Sequence, residues 1–172
     1  LLHDGGNPKG YGPWHDELLR EHYARVKGAF DDSLRELAGP DPVFKIMHIM
    51  SPHPPFVFLA DGRPQPYWQT DDFLFSDGDH FLHDDAVWSN YREGYAEQVQ
   101  YAAKETCRLV DRILAVSTRP VVVIVQGDHG SGLDFSFENS GGNLDGRAGI
   151  LMAIRLPERT PPLPAEVQSP VN

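Results

Sequence analysis

From about Asp16 to Ala38, apolar residues return at steps of three and four. Leu19, Tyr23, Val26, Phe30, Leu34 and Leu37 lie on one stripe with charged residues between them, which predicts an amphipathic helix stopped by Gly39-Pro40. Val43 to Met50 alternates in part and is rich in bulky apolar residues. Bounded by Pro42 and Ser51-Pro52, it predicts a buried strand whose carboxyl end presents His48 and, just beyond, His53. A second amphipathic helix is predicted over Tyr91 to Val116, with Tyr95, Val99, Ala102, Leu109 and Ile113 on one face and Cys107, Val110 and Leu114 beside it. Val121 to Val125 is a continuous β-branched run of the kind buried on both faces of a parallel sheet, and Gly127 ends it. Gly149 to Leu156 predicts one more short strand, closed by Pro157.

Strand, helix and strand in alternation predict an α/β fold with a mostly parallel sheet flanked by helices. Between these elements the chain turns polar. Leu1 to Pro13 is rich in Gly and Pro. Residues 61 to 90 read as a long surface excursion, with Gly62, Pro64, Pro66, Gly78 and many aspartates, and Ser131 to Arg147 is rich in Gly and Asn. No internal repeat is visible.

Composition narrows the function classes. The 172 residues suffice for one domain, or a large piece of one. Leu1 is not a methionine and Asn172 follows a proline-rich stretch, so both ends read as cut. Fifteen basic against twenty-five acidic residues give a net charge of −10, which repels a polyanion and argues against nucleic acid as a partner. An anionic substrate remains compatible where a bound cation overrides the global field. The single cysteine, Cys107, excludes an intramolecular disulfide, and its mid-helix position predicts a buried, inert thiol. No apolar stretch of about 18 residues is present, so the sequence carries no predicted transmembrane segment.

Candidate chemistry gathers after two of the predicted strands. Gly127-Asp128-His129-Gly130 follows a strand, where ligands collect in open α/β sheets. An aspartate oxygen beside an imidazole nitrogen suits Zn²⁺ or Mn²⁺, with Ca²⁺ and Mg²⁺ as harder alternatives. The plainer reading is an Asp-His pair that caps the next segment. In His48-Ile49-Met50-Ser51-Pro52-His53-Pro54-Pro55-Phe56, prolines on both sides stiffen the loop around His53, which suits an anion contact. For His48 the preferred reading is a strand histidine satisfied by a backbone carbonyl. The acidic run Asp71-Asp72, Asp77, Asp79-His80 and His83-Asp84-Asp85 lacks the ordered alternation of a calcium loop and reads as solvated. Ser131 follows a strand, but a nucleophile elbow needs glycines two residues to either side, and His129 and Leu133 stand there instead. Trp14, Tyr67, Trp68 and Trp88 flank loops without a basic patch, which favours packing.

Phe44 to Phe58 (FKIMHIMSPHPPFVF), the helix around Tyr91 to Leu114, VVVIVQGDHG and RAGILMAIRLP occur in an order that resembles sulfatase-like proteins of the alkaline phosphatase superfamily. The likeness is greatest to bacterial membrane-anchored relatives of lipoteichoic-acid synthases and phosphoethanolamine transferases. The resemblance runs from about Phe44 onward and takes in the ending SPVN. It implies that residues 1–172 are the C-terminal portion of a sulfatase-like domain with an incomplete alkaline-phosphatase-like fold.

It further implies Asp128 and His129 as metal ligands and His53 as the histidine that contacts the phosphate or sulfate group. His48 is a substrate-binding candidate beside it. The implied activity is that of a metal-dependent hydrolase or phospho-group transferase acting on phosphate or sulfate esters, placed outside the cytoplasm and reaching the membrane only through segments absent here. The family's hydroxyl or thiol nucleophile and a further acidic ligand belong upstream of these residues. The chain alone is therefore expected to be catalytically silent and to hold metal weakly. A non-catalytic binding domain of the same fold is the alternative.

Overall fold

The computed structural model describes residues 13–33, 41–65, 85–133, 135 and 144–157. Helix α1 spans Pro13–Asp32, helix α2 Asp85–Val116, strand β1 Val123–Gln126, helix α3 Leu144–Ala148 and strand β2 Met152–Arg155.

Helix α1 opens on proline, whose fixed φ and missing N–H suit a first helical position. Its apolar stripe is the one legible in the sequence: Leu19, Val26 and Phe30 are buried. Leu34, Leu37 and the Gly39-Pro40 stop lie outside the described residues. Helix α2 supplies Tyr101, Leu109 and Ile113 to the same core, with Val57 and Phe58 between the two helices. Phe58 is the centre of a ring stack, its centroid 4.0 Å from that of Tyr101 and 4.5 Å from that of Tyr23. Burying a side chain of this size stabilises the fold by about 1.5–3 kcal/mol. A second cluster forms where Phe56 meets Tyr91 edge-on at 4.9 Å. Gly94 makes this possible, since a Cβ there would stand 2.6 Å from the Phe56 ring.

The sheet corrects the expected fold class. Among the described residues it has two strands, and they are antiparallel, with Val123 opposite Arg155 and Gln126 opposite Met152. A mostly parallel, alkaline-phosphatase-like sheet flanked by helices is not what these residues build. A parallel return needs a crossover of a dozen or more residues, usually through a helix long enough to run back along the sheet. Helix α3 has five residues, and the chain simply reverses. The β-branched run promised burial on both faces, yet exposure alternates along β1 and Ile124 is 60% exposed. A run of valines marks a strand but not what covers it.

Val43 to Met50 is also corrected. It forms no ladder among the described residues, and Phe44 is 89% exposed. Only Ile49 of this segment packs against the core, beside Val121. The surface excursion assigned to residues 61–90 is overturned at its end, because Asp85 to Asn90 already belong to α2. Residues 66–84, which hold Tyr67, Trp68 and the acidic run as far as Asp84, lie outside the described residues, as do the side chains of Trp14 and Trp88 and the ending SPVN. Cys107 is exposed rather than buried, on the solvent side of α2. No helix among the described residues is long and apolar enough to cross a membrane.

Candidate functional site

A cavity of about 280 Å³ opens between two segments. One is the His48–Pro54 stretch and the other the Asp128–Ser131 turn, with Tyr91 and Tyr95 of α2 completing the wall. All four residues singled out from the sequence, His48, His53, Asp128 and His129, line this one space.

The turn after β1 is shaped by its glycines. Gly127 N–H donates to the Leu151 carbonyl at 2.9 Å and so extends the antiparallel pair by one step. Gly130 N–H donates to the Arg147 carbonyl at 2.7 Å, tying the turn to α3. A Cβ on Gly130 would stand 2.0 Å from the Gly146 carbonyl oxygen, a separation no side chain tolerates. Between these anchors, Asp128 Oδ1 accepts the His129 N–H at 2.9 Å, while Oδ2 lies 3.6 Å from His129 Nε2. His129 Nδ1 is 2.9 Å from the Gly130 carbonyl, so Nδ1–H donates there and Nε2 is the ring nitrogen left to face the cavity.

This arrangement fits a metal ion. Two ligands at about 2.0–2.2 Å from one tetrahedral centre are separated by roughly 3.4 Å, close to the Oδ2 to Nε2 distance. A ligating histidine usually donates its other N–H to a carbonyl or carboxylate, as His129 does. Burial alone would raise the Asp128 carboxyl. The backbone N–H groups of His129 and Asp128, with the nearby His129 and His48 charges, outweigh it and hold the group below the usual carboxylate range. The ionised, ligand-competent form is thereby favoured. No third His, Cys, Asp or Glu among the described residues joins the pair. Among the described residues Asp128 and His129 thus offer two donors to a cation and no more.

The second wall is built differently. Pro52, Pro54 and Pro55 have no N–H to donate, so the chain here is ill suited to a ladder. His53 Nδ1 is 2.7 Å from the Pro54 carbonyl. With Nδ1–H committed there, ligand contact falls to Nε2. Ser51 Oγ is enclosed and has no hydrogen-bond partner among the described residues. Tyr95 is pushed up by burial and stays a neutral phenol, and the Tyr91 hydroxyl donates to the Ser131 carbonyl at 3.4 Å.

Several of these contributors escaped sequence reasoning. Tyr91 and Tyr95 were legible as a helix face but not as a cavity wall. Ser51 carried no signal beyond its neighbours. Gln98, fully buried under the His53 loop, sits at a position the helical stripe would assign to a hydrophobe. Its side chain meets four backbone groups of residues 53–58, and a buried backbone group left unmet costs about 1–3 kcal/mol.

His22 of α1 lies behind the same loop, and its environment makes stability depend on pH. Burial first, then the charges of Arg25 and His53, lower its pKa from the ordinary 6.5. The unfolded chain binds the proton at higher pH than the folded chain does. Stability from this group is therefore complete above 6.5 and drains away as pH falls through the lowered value. Thermal melts between about pH 7.5 and about pH 5 are expected to show Tm falling with pH, and His22→Gln to flatten part of that slope. Parallel slopes in the two proteins would show that His22 does not set it.

Comparison with protein-family models, with curated proteins and with solved structures finds no match to the chain.

Proposed function

We propose that the cavity binds a phosphate or sulfate ester and that the chain contributes part of the site of a divalent-metal-dependent hydrolase or phospho-group transferase of the sulfatase-like class. The observation that carries the reading is the meeting of the His53 loop with the Asp128–His129 pair, remote in sequence, across one cavity. The motif order described above supports the same chemistry. Asp128 Oδ2 and His129 Nε2 would hold the cation, for which Zn²⁺ and Mn²⁺ suit the oxygen and nitrogen donors best. When bound, the cation supplies the positive charge that draws a nonbridging ester oxygen into a chain of net charge −10. His53 in its imidazolium form, with Nδ1–H kept on the Pro54 carbonyl, would donate Nε2–H to a nonbridging oxygen or pass that proton to the leaving oxygen. His48 offers a second imidazole to the anion from the same cavity, and the Tyr91 and Tyr95 rings limit access of water to one side.

In this reading the hydroxyl nucleophile and a further acidic ligand come from a segment preceding these residues. The parent is then a membrane-anchored bacterial protein with this domain outside the cytoplasm.

Calorimetric titration of the chain with orthophosphate or sulfate, with and without Zn²⁺ or Mn²⁺, tests the proposal. The anion is expected to bind measurably only when the cation is present, with no turnover of nitrophenyl phosphate, phosphodiester or sulfate substrates by the chain alone. Anion binding that is indifferent to the cation, or absent with it, would overturn the reading.

A further inference from the structure

We infer that Gln98 is the positioning residue that sets His53 for contact with the anion. The chain from Pro52 to Pro55 has one N–H to offer, that of His53, because the other three residues are prolines. Its carbonyls, and the N–H groups of Val57 and Phe58 that follow, are enclosed against α2 and must find partners outside the segment. Gln98 meets them. Its Oε1 accepts the Val57 N–H at 2.8 Å and the Phe58 N–H at 3.3 Å, while its Nε2 donates to the His53 carbonyl at 2.9 Å and the Pro55 carbonyl at 3.3 Å. An amide has two acceptor lone pairs and two donor hydrogens, so all four bonding positions of this side chain serve one loop.

Gln98 has no exposed surface, and a methionine of similar volume would fill the same space with no polar atom to satisfy. Gln100, on the exposed side of the same helix, makes only a local bond to the Ala96 carbonyl. The two ends of the Gln98 amide have separate tasks. The oxygen holds the core-facing residues Val57 and Phe58. The nitrogen brackets the histidine, taking the carbonyl of His53 itself and that of Pro55, next to the Pro54 carbonyl that receives the His53 ring N–H. The inference rests on the reading of His53 as an anion contact, but the bracketing can be measured apart from it.

In the full chain with Zn²⁺, Gln98→Met removes all four bonds, whereas Gln98→Glu keeps the two acceptor bonds and loses the donor pair. Three readouts are compared: the His53 ring resonances after histidine labelling, amide exchange at Val57 and Phe58, and affinity for orthophosphate. Both variants are expected to shift or broaden the His53 ring signals and to weaken phosphate binding about tenfold or more. Only Gln98→Met is expected to deprotect the Val57 and Phe58 amides. In the parent protein, phosphate should move the Gln98 side-chain amide resonances together with those of the His53 ring, a measurement that needs no variant to fold. An unmoved Gln98 amide in the parent, or His53 signals and phosphate affinity in Gln98→Glu equal to the parent's, would overturn the inference. His53→Ala separates the two claims: undiminished phosphate binding there defeats the functional reading, whatever Gln98 does to the ring.

Discussion

Asp128→Ala and His129→Ala are each expected to abolish divalent-metal binding in the complete domain while leaving the fold largely intact. Each removes one of the two donors whose 3.6 Å separation matches a shared ion. Loss of an outer-shell partner already costs about 10–100-fold in metal affinity, and loss of a ligand should exceed that. The fold should survive, because both residues stand in the turn after β1 and the Asp128 side chain is largely exposed. Elemental analysis of bound metal, read beside circular dichroism, checks both halves. Unchanged metal content in the two variants would sink the assignment.

His53→Ala is expected to slow turnover of a phosphodiester or sulfate ester by the full-length protein by about 10²-fold or more, with metal content unchanged. The magnitude is that of one preorganised contact to a charge that develops in the transition state. Preorganisation is what the loop provides, since the ring is tied through Nδ1 to Pro54 and the backbone beneath it to Gln98. Alanine removes the contact and leaves the hydrogen-bonded backbone in place. Kinetics within twofold of the parent would reduce His53 to a loop residue.

Both helices were readable because their cores are one-sided. Leu19, Val26 and Phe30 on α1, and Leu109 and Ile113 on α2, are buried at the spacing that marked them in the sequence. The strands were readable as strands and misread as a sheet. Val121 to Val125 says that the backbone is extended, but pairing direction depends on what lies between β1 and β2, and a one-turn helix there left no sequence pattern strong enough to announce a reversal. Val43 to Met50 failed for a related reason: its apolar residues implied burial, yet most of them face solvent. The residues singled out as a candidate site do come together, since His48, His53, Asp128 and His129 line one cavity. His53, Asp128 and His129 were marked by flanking prolines and glycines, which constrain the backbone through steric effects that any fold must respect. Gln98 was invisible because its role depends on carbonyls forty or more positions away, and a glutamine on an amphipathic helix looks like a solvated one.

The contact between Gly130 and Gly146 has a consequence for how such a chain could diversify. The two backbones meet so closely that position 130 admits no side chain, and a hydrogen bond from Gly130 to Arg147 fastens the same junction. Both ends of the segment between them are therefore held by the fold and not by the segment's own residues. For a flexible connection between fixed ends, added length costs only about 0.6 kcal/mol for each doubling. Added length between Gly130 and Gly146 is therefore compatible with Asp128 and His129 keeping their places, because Gly130 is anchored from outside the inserted residues.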